Sequence, residues 1–403
     1  MFKSIWQPPR LFQAHPHEHR RVTWLELFYD LVYVATVVQL GNLLSDNVSV
    51  VGFLQFAGLF VTIWWSWTGI TFYMNRFISD DILHRLLMFT QIFAIALAAL
   101  SIEGAFGALS AQFALAYAVI RLILTLLYIR AGAYNPQIRP LTRQFTTVFA
   151  IGTALFVVSA FVPQPFTFML WAAAIVLEFS APLFGAFRRN VAEVFPPHDE
   201  HMTERFGIFT LIVLGEAFLK VISEEAGLTF GWEQFLFSLF GMIVLYALWW
   251  LYFDDVAEAD FSDQVRAKFT WIYSHLPLQM AMTAFGVAAV KLFTAPLFEP
   301  LTDRYRLLYS AALILYLVFL GIIDRVTVRH DRAIPNHTRA YFRFASAAII
   351  LGVALFGGGM TTLAYIVLMA ALFSGLVLID LFEPRRQPGG SPAAPPVSTA
   401  ASD

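Results

Sequence analysis

The chain contains no cysteine, and charged side chains are scarce. The absence of cysteine excludes disulfide bonds, thiolate metal sites and a thiol nucleophile. Only 13% of the 403 residues are Asp, Glu, Lys or Arg, against about 25% in an ordinary soluble domain. The formal net charge of −2 argues against a nucleic-acid-binding face, so no nucleic-acid partner is expected. Residues 1–21 include three prolines and no apolar core segment, and we therefore expect no signal peptide.

Apolar side chains make up most of the sequence. They account for 59% of the residues, including 41 Phe and 10 Trp, and the mean hydropathy is +0.67. This composition predicts an all-α, polytopic helical membrane protein whose main partner is the lipid bilayer. Twelve segments have about the 20-residue length that spans a bilayer. They lie at about residues 26–45, 50–73, 85–107, 110–130, 144–162, 166–187, 205–223, 232–253, 270–292, 305–324, 341–357 and 360–382.

The basic residues predict the orientation of these segments. If the N-terminus is cytoplasmic, 21 of the 26 Lys and Arg residues fall in or beside cytoplasmic loops. The exceptions are Arg121, inside the membrane, and four residues on the outer side, Lys220, Lys291, Arg304 and Arg306. Cytoplasmic loops of membrane proteins are enriched in Lys and Arg. The distribution therefore predicts twelve spans with both termini in the cytoplasm.

The sequence also suggests an internal duplication. The Trp pair at 64–65 recurs at 249–250, an offset of 185 residues, and Arg85 recurs as Lys268 at an offset of 183. Chance similarity between Phe-rich segments is the alternative explanation. Two six-helix units would point the same way across the membrane, which predicts parallel repeats. The predicted organisation is an N-terminal arm at 1–24, repeats at 25–190 and 191–383, and a disordered Pro-, Ser- and Ala-rich tail at 384–403.

Charged and titratable residues cluster where the helices of both predicted repeats begin or end on the cytoplasmic side. Glu26 and Asp30 stand four residues apart, so both carboxylates lie on one face of the first helix. They are candidates for a cation or proton entry site. The other candidates in this layer are Arg76 in the first repeat and Glu204, Arg205, Asp254 and His275 in the second.

A structural explanation of this layer predicts ion pairs that fix helix ends. Arg76 would pair with Asp80, and Arg205 would pair with Glu204 or Asp254. Charged residues at the mouths of membrane helices are common, so both explanations stay open.

A second polar layer lies near the predicted midplane. Arg121 and Glu178 occur at similar depth in the fourth and sixth helices, and we expect them to form a pair. Glu216 and Lys220 are one turn apart on the seventh helix, in the order that favours an ion pair. These residues either pair for structural reasons or line a path for a solute or proton.

The histidines do not predict a metal site. His15, His17 and His19 lie in the N-terminal arm, with His198 and His201 before the seventh helix, and their spacing fits no closed site. His275 is either a titrating group or a hydrogen-bonded core residue. No cofactor or catalytic residue is predicted.

Four motifs resemble the bacterial low temperature requirement A family over about residues 15–380. They are WLELFYDLVYV at 24–34, NRFISDD at 75–81, ERFGIFTLIVLGE at 204–216 and WWLYFDD at 249–255. The resemblance implies a multi-pass protein of the bacterial inner membrane. The family name records a growth phenotype and brings no substrate, cofactor or catalytic residue. FYDLV is also similar to the F-S-D-x-V signature of a potassium-channel family with six-helix repeats, although Tyr29 replaces Ser and Trp24 replaces a basic residue.

Three classes of function are compatible with this pattern. Parallel repeats and midplane charges favour a channel or secondary transporter for an ion or small solute. A membrane enzyme acting on a lipid-like substrate would need clustered His and Asp, but no DxxxD, HxxxD or HExxH motif occurs in the predicted spans. A sensor or scaffold would need a docking domain, and the predicted loops are too short to provide one. The sequence does not predict the oligomeric state.

The predicted topology can be tested with reporter fusions after Asp46, Glu225 and Phe298. All three should report an external location, because each position follows an odd-numbered span. An internal location after Glu225 would contradict the arrangement of two parallel repeats.

Overall fold

The computed structural model describes residues 6–12, 22–188, 199–225, 231–254, 260–261, 264–329 and 334–383. The predicted disordered tail and most of the N-terminal arm, including His15, His17 and His19, lie outside these residues, as does His198.

Twelve long helices account for most of the described residues and confirm the all-α fold. Each one overlaps a predicted apolar segment. They are α1 (Trp24–Asp46), α2 (Val50–Arg76), α3 (Ile82–Ser101), α4 (Ser110–Tyr134), α5 (Arg139–Ser159), α6 (Phe166–Arg188), α7 (Asp199–Glu225), α8 (Trp232–Phe253), α9 (Val265–Phe293), α10 (Asp303–Val326), α11 (Asn336–Phe356) and α12 (Thr362–Leu381).

Ten of these helices are long and apolar enough to cross a membrane. Of the remaining two, α6 is apolar over the shorter stretch Phe166–Pro182, and α7 carries several charged residues. The chain is therefore a polytopic helical membrane protein, as composition predicted.

Several helix starts are fixed by side-chain caps. Thr23 and Glu26 form a capping box at the start of α1, in which Glu26 Oε2 accepts from Thr23 N at 2.7 Å. The hydroxyl of Ser49 caps α2 and the carboxylate of Asp81 caps α3. These caps satisfy backbone N–H groups that have no partner within the helix. The side chain of Glu26 is thus positioned at the start of α1 by a local contact, independently of its contacts with other helices.

Two short antiparallel strand pairs join loops at the helix ends. β1 (Arg10–Leu11) pairs with β2 (Phe77–Ile78), and β3 (Asp260–Phe261) pairs with β4 (Thr327–Val328). Each pair joins segments that the basic residues assign to the cytoplasmic face. β2 and β3 also lie 183 residues apart, the offset that relates Arg85 to Lys268. The duplication itself stays a prediction.

The helix α1 has four neighbouring helices in the bundle. It packs against α2 and α3 and also against α7 and α9. Gly286 of α9 lies close to α7, since an added Cβ there would lie 2.8 Å from both Cα and Cβ of Ala217. Small residues let membrane helices approach this closely. The position of α7 relative to α1 therefore depends on the α7–α9 contact as well.

We expect Gly286→Ala to destabilise the protein by about 1–3 kcal/mol, because the new methyl group meets backbone atoms of α7. Gly215→Ala on α7 is the matched control, since a Cβ there meets nothing within 4 Å. Thermal unfolding of both variants in detergent measures the difference. Equal melting temperatures would contradict the tight α7–α9 crossing.

Candidate functional site

A fully buried charge contact joins α1 of the first predicted repeat to α7 of the second. Asp30 Oδ1 accepts from Arg205 Nη2 at 2.6 Å and from Trp67 Nε1 at 2.8 Å. Asp30 and Arg205 are both completely buried. A charge buried away from water is stable only with a partner. This contact therefore couples the position of α1 to that of α7.

Glu26 lies one helical turn closer to the start of α1 and faces the same helix. Its Oε1 is 3.6 Å from Arg205 Nη1, and its Oε2 is 3.6 Å from His201 Nε2. His201 Nδ1 lies 3.3 Å from Asn75 Nδ2 of α2. The prediction that Glu26 and Asp30 share one helical face is confirmed. We call Glu26, Asp30, His201 and Arg205 the α1–α7 cluster.

The predicted partner of Arg205 was wrong. The structural explanation of the charged layer paired Arg205 with Glu204 or Asp254, but Arg205 contacts Asp30 and Glu26. Adjacent residues on a helix point about 100° apart, and Glu204 is exposed while Arg205 faces α1. Asp254, after the end of α8, is half-buried.

The other expected ion pair at this face involved Arg76 and Asp80. The structure pairs Asp80 with Arg85 at 2.9 Å in an exposed position. Arg76 is buried at the C-terminal end of α2, and its carbonyl accepts from Phe12 N at 2.8 Å. Arg76 thus helps to hold the N-terminal arm against the bundle.

Uncharged polar groups also join α7 to its neighbouring helices. Gln279 of α9 accepts from Trp64 Nε1 at 2.6 Å and donates to Thr210 Oγ1 at 2.8 Å. All three residues are buried, and they connect α2, α9 and α7. The sequence does not reveal these residues as partners, because single uncharged residues in apolar helices give no charge pattern.

A chain of hydrogen-bonded hydroxyl groups begins at Tyr29, the residue before Asp30. Tyr29 OH is 3.1 Å from Tyr33 OH, which is 2.9 Å from Ser66 Oγ. Buried hydroxyl groups need such partners, because an unpaired polar group in an apolar setting is costly. The surroundings of Asp30 are therefore polar over more than one turn of α1.

A third contact joins α1 and α7 further along both helices. Lys220 Nζ donates to Asn42 Oδ1 at 2.9 Å and lies 3.7 Å from Glu216 Oε1, as the spacing of Glu216 and Lys220 predicted. A Cβ at Gly41 would be 2.7 Å from Lys220 Nζ, so the glycine makes room for the ammonium group. The contacts occur in the same order along α1 and α7, and the two helices therefore run in the same direction. Parallel repeats require this orientation.

Arg121 and Glu178 form the expected pair inside the first predicted repeat. Arg121 Nη2 is 2.6 Å from Glu178 Oε2, and Arg121 Nε donates to Oε1 at 3.1 Å. Both residues are fully buried, and the Arg121 guanidinium carbon lies 4.3 Å from the centre of the Phe149 ring. Gly152 of α5 leaves the space that the Glu178 carboxylate occupies, since an added Cβ would be 2.2 Å from Oε1. This pair links α4 and α6 across α5.

His275 belongs to the packed core and lies outside the cluster. It is fully buried, with Nδ1 2.7 Å from the carbonyl oxygen of Trp271 and Nε2 3.0 Å from Tyr252 OH. Of the two explanations considered for His275, the contacts favour the hydrogen-bonded core residue. Among the residues that the structure describes, no group of three or more His, Asp or Glu side chains is arranged to hold a metal ion.

Asp81 and Arg130 fasten the N-terminal arm to the helix ends. Arg130 Nη2 is 2.5 Å from Asp81 Oδ2, and the backbone N–H of Gln7 donates to the same oxygen at 3.1 Å. Burial alone raises the pKa of Asp81, but hydrogen bonds from Arg130, Gln7 N and His84 N outweigh it and hold the pKa below its usual range. The stability contributed by Asp81 is therefore complete above the usual pKa and is lost as the pH falls through the lowered one.

A similar set of charges joins the ends of α10, α11 and α12. Asp324 Oδ2 is 2.5 Å from Arg343 Nε, and Arg339 Nη1 donates to Asp380 Oδ1 at 3.1 Å. Arg339 also contacts Glu383. These contacts are not predictable from the sequence, because the residues are far apart in the chain and meet only in the folded bundle.

The fold and these charge contacts define a multi-pass α-helical membrane protein with a buried polar interface between its helices. The sequence model described as Bacterial low temperature requirement A protein (LtrA) matches residues 21–376. The chain belongs to this family, and the family resemblance read from the motifs is confirmed. It is also similar to the uncharacterized protein RA0937 of Rhizobium meliloti (strain 1021), with 28% identity over 278 residues, 65% of this chain and 67% of the relative.

The buried pair Arg121–Glu178 predicts a non-additive pair of substitutions. Arg121→Leu should destabilise the protein by roughly 3–5 kcal/mol, because Glu178 is left buried without its partner. Replacing Glu178 by Leu as well should recover much of that loss, since no buried charge remains. Thermal unfolding of the single and double variants in detergent measures this coupling. A double variant no more stable than the worse single variant would show that the contact contributes nothing.

Proposed function

We propose that this LtrA-family protein is a channel or secondary transporter for an ion or small solute, and that the α1–α7 cluster is its ion or proton site. The observation that carries the proposal is the buried contact of Asp30 with Arg205. It joins the first helices of the two predicted repeats, and transport folds built from repeats commonly place their sites at such an interface.

Stability alone does not account for the cluster. Replacing a buried ion pair by well-packed apolar residues is often neutral or stabilising, because desolvation offsets the attraction. Asp30 Oδ2 is buried and has no hydrogen-bond partner in the described part of the chain. An oxygen in this position can accept a proton or contact a cation, which is the usual role of ionisable groups inside membranes.

The geometry supports a specific way of coupling an ion to helix movement. A proton or cation on Asp30 competes with Arg205 for the carboxylate and weakens the contact between α1 and α7. Glu26 lies 3.6 Å from both Arg205 and His201 and can strengthen its contact with either. A protonated His201 would draw Glu26 away from Arg205. The α1–α7 interface is then the element whose equilibrium the bound ion shifts.

The proposed orientation places both termini in the cytoplasm of a bacterial cell, with the chain in the inner membrane. The distribution of Lys and Arg supports it. The strand pairs β1–β2 and β3–β4 support it as well, because each joins segments assigned to the same side. In this orientation Glu26 and His201 lie nearer the cytoplasm than Asp30 does.

The test is flux through liposomes that contain the purified protein, with protons, alkali cations and anions measured in parallel. Asp30→Asn should abolish the flux, because Asn keeps the shape and loses the charge, and Glu26→Gln should have a milder effect. Glu178→Gln is the matched control, since it also removes the charge of a fully buried carboxylate that is paired with an arginine. Its flux, counted per molecule of folded protein, should stay within about twofold of wild type.

Gel filtration and thermal unfolding of each variant separate transport from folding. Wild-type protein that carries none of these ions would contradict the proposal. An Asp30→Asn variant that fails to accumulate, beside a Glu178→Gln variant that folds, would make Asp30 a structural residue.

A further inference from the structure

We propose that a groove between α4 and α5, on the face predicted to be cytoplasmic, binds the headgroup of an anionic phospholipid. A cavity of about 290 Å³ lies where α4 ends and α5 begins. Its polar lining comes mainly from α5, with the guanidinium groups of Arg139 and Arg143 and the hydroxyl groups of Thr146 and Thr147. Basic pockets between membrane helices on the cytoplasmic side are suited to phosphate-bearing headgroups.

The charges in this part of the chain are unbalanced. No Asp or Glu occurs between Glu103 and Glu178, whereas the same stretch holds four arginines. Two of these have carboxylate partners, Arg121 with Glu178 and Arg130 with Asp81. The other two are the arginines of the groove, and neither contacts a carboxylate within the described ranges. Their charges are available to a phosphate, which arginine binds through paired N–H donors.

Close packing of α4 and α5 fixes the position of these groups. A Cβ at Gly132 would lie 2.3 Å from Thr142 Oγ1, so the glycine lets the start of α5 approach α4. Arg139 Nε lies 3.4 Å from the carbonyl oxygen of Gly132, and Arg143 stands one turn further along α5. The positive end of the α5 dipole adds to the attraction for an anion.

An apolar surface continues from the groove toward the membrane interior. On α4 the exposed side chains include Leu122, Leu126 and Ile129, spaced three to four residues apart. On α5 the groove residues Arg143 and Thr147 continue into exposed Ile151, four residues on. A phosphate site next to a lipid-facing apolar surface fits a lipid with its headgroup in the groove and its acyl chains along both helices. A free phosphate would contact only the polar groove and not the apolar surface beside it.

The test measures lipid retention by full-length protein. Native mass spectrometry counts phosphatidylglycerol and phosphatidylcholine molecules retained after matched titrations, for wild type, Arg143→Gln and Arg139→Gln/Arg143→Gln. The double variant should bind phosphatidylglycerol at least about tenfold more weakly, and the single variant should be intermediate. Arg143 is exposed, so its replacement should leave folding intact.

The control is Arg85→Gln/Arg266→Gln, which removes two exposed arginines from the same predicted face and should retain phosphatidylglycerol like wild type. Inorganic phosphate added alone should not raise the melting temperature as phosphatidylglycerol does. An equal loss of phosphatidylglycerol binding in both double variants would show only a general attraction of basic residues for anionic lipid. It would overturn the proposal. Equal retention of phosphatidylcholine, or the same stabilisation by inorganic phosphate, would also overturn it.

Discussion

Burial of charge within the helix bundle constrains how the helices of this fold meet. Asp30 and Arg205 are both completely buried, and neither is tolerable there without a partner. Their 2.6 Å contact therefore fixes how α1 meets α7. The surrounding polar groups follow from the same requirement, since Trp67 donates to Asp30 and Glu26 approaches Arg205 from the next turn.

The other buried charges also have partners, but their partners lie within the same predicted repeat. Arg121 and Glu178 are paired within a group of three neighbouring helices, with Gly152 leaving room for the carboxylate. The Asp81–Arg130 contact and the Asp324–Arg343 contact fasten helix ends. These three contacts lie within one predicted repeat or the other, whereas the α1–α7 cluster joins the two repeats. Because it joins the two predicted repeats, the α1–α7 cluster is the candidate site, and the other three buried contacts are not.

The sequence allowed some of the site to be predicted and not the rest. Contacts within one helix follow from the helical period, and the shared face of Glu26 with Asp30 and the Glu216–Lys220 pair were both predictable. The Arg121–Glu178 contact was predictable because depth along a membrane helix can be counted from its ends. The partner of Arg205 was not, since a sequence does not specify which helices are neighbours. Gln279 and Trp67 were missed because their roles depend entirely on that neighbourhood.

The sequence by itself determined the helical membrane class, the number and order of the helices and the family. These properties depend on composition and on the length of apolar segments, because every backbone polar group in a bilayer must be paired within a helix. Only the tertiary structure decided that α1 lies against α7 with both helices running in the same direction, and that Asp30 meets Arg205 there. Lipid-facing and partner-facing sides of a membrane helix are equally apolar, so hydrophobicity does not choose between neighbours. Close packing and the pairing of a few buried polar groups make that choice.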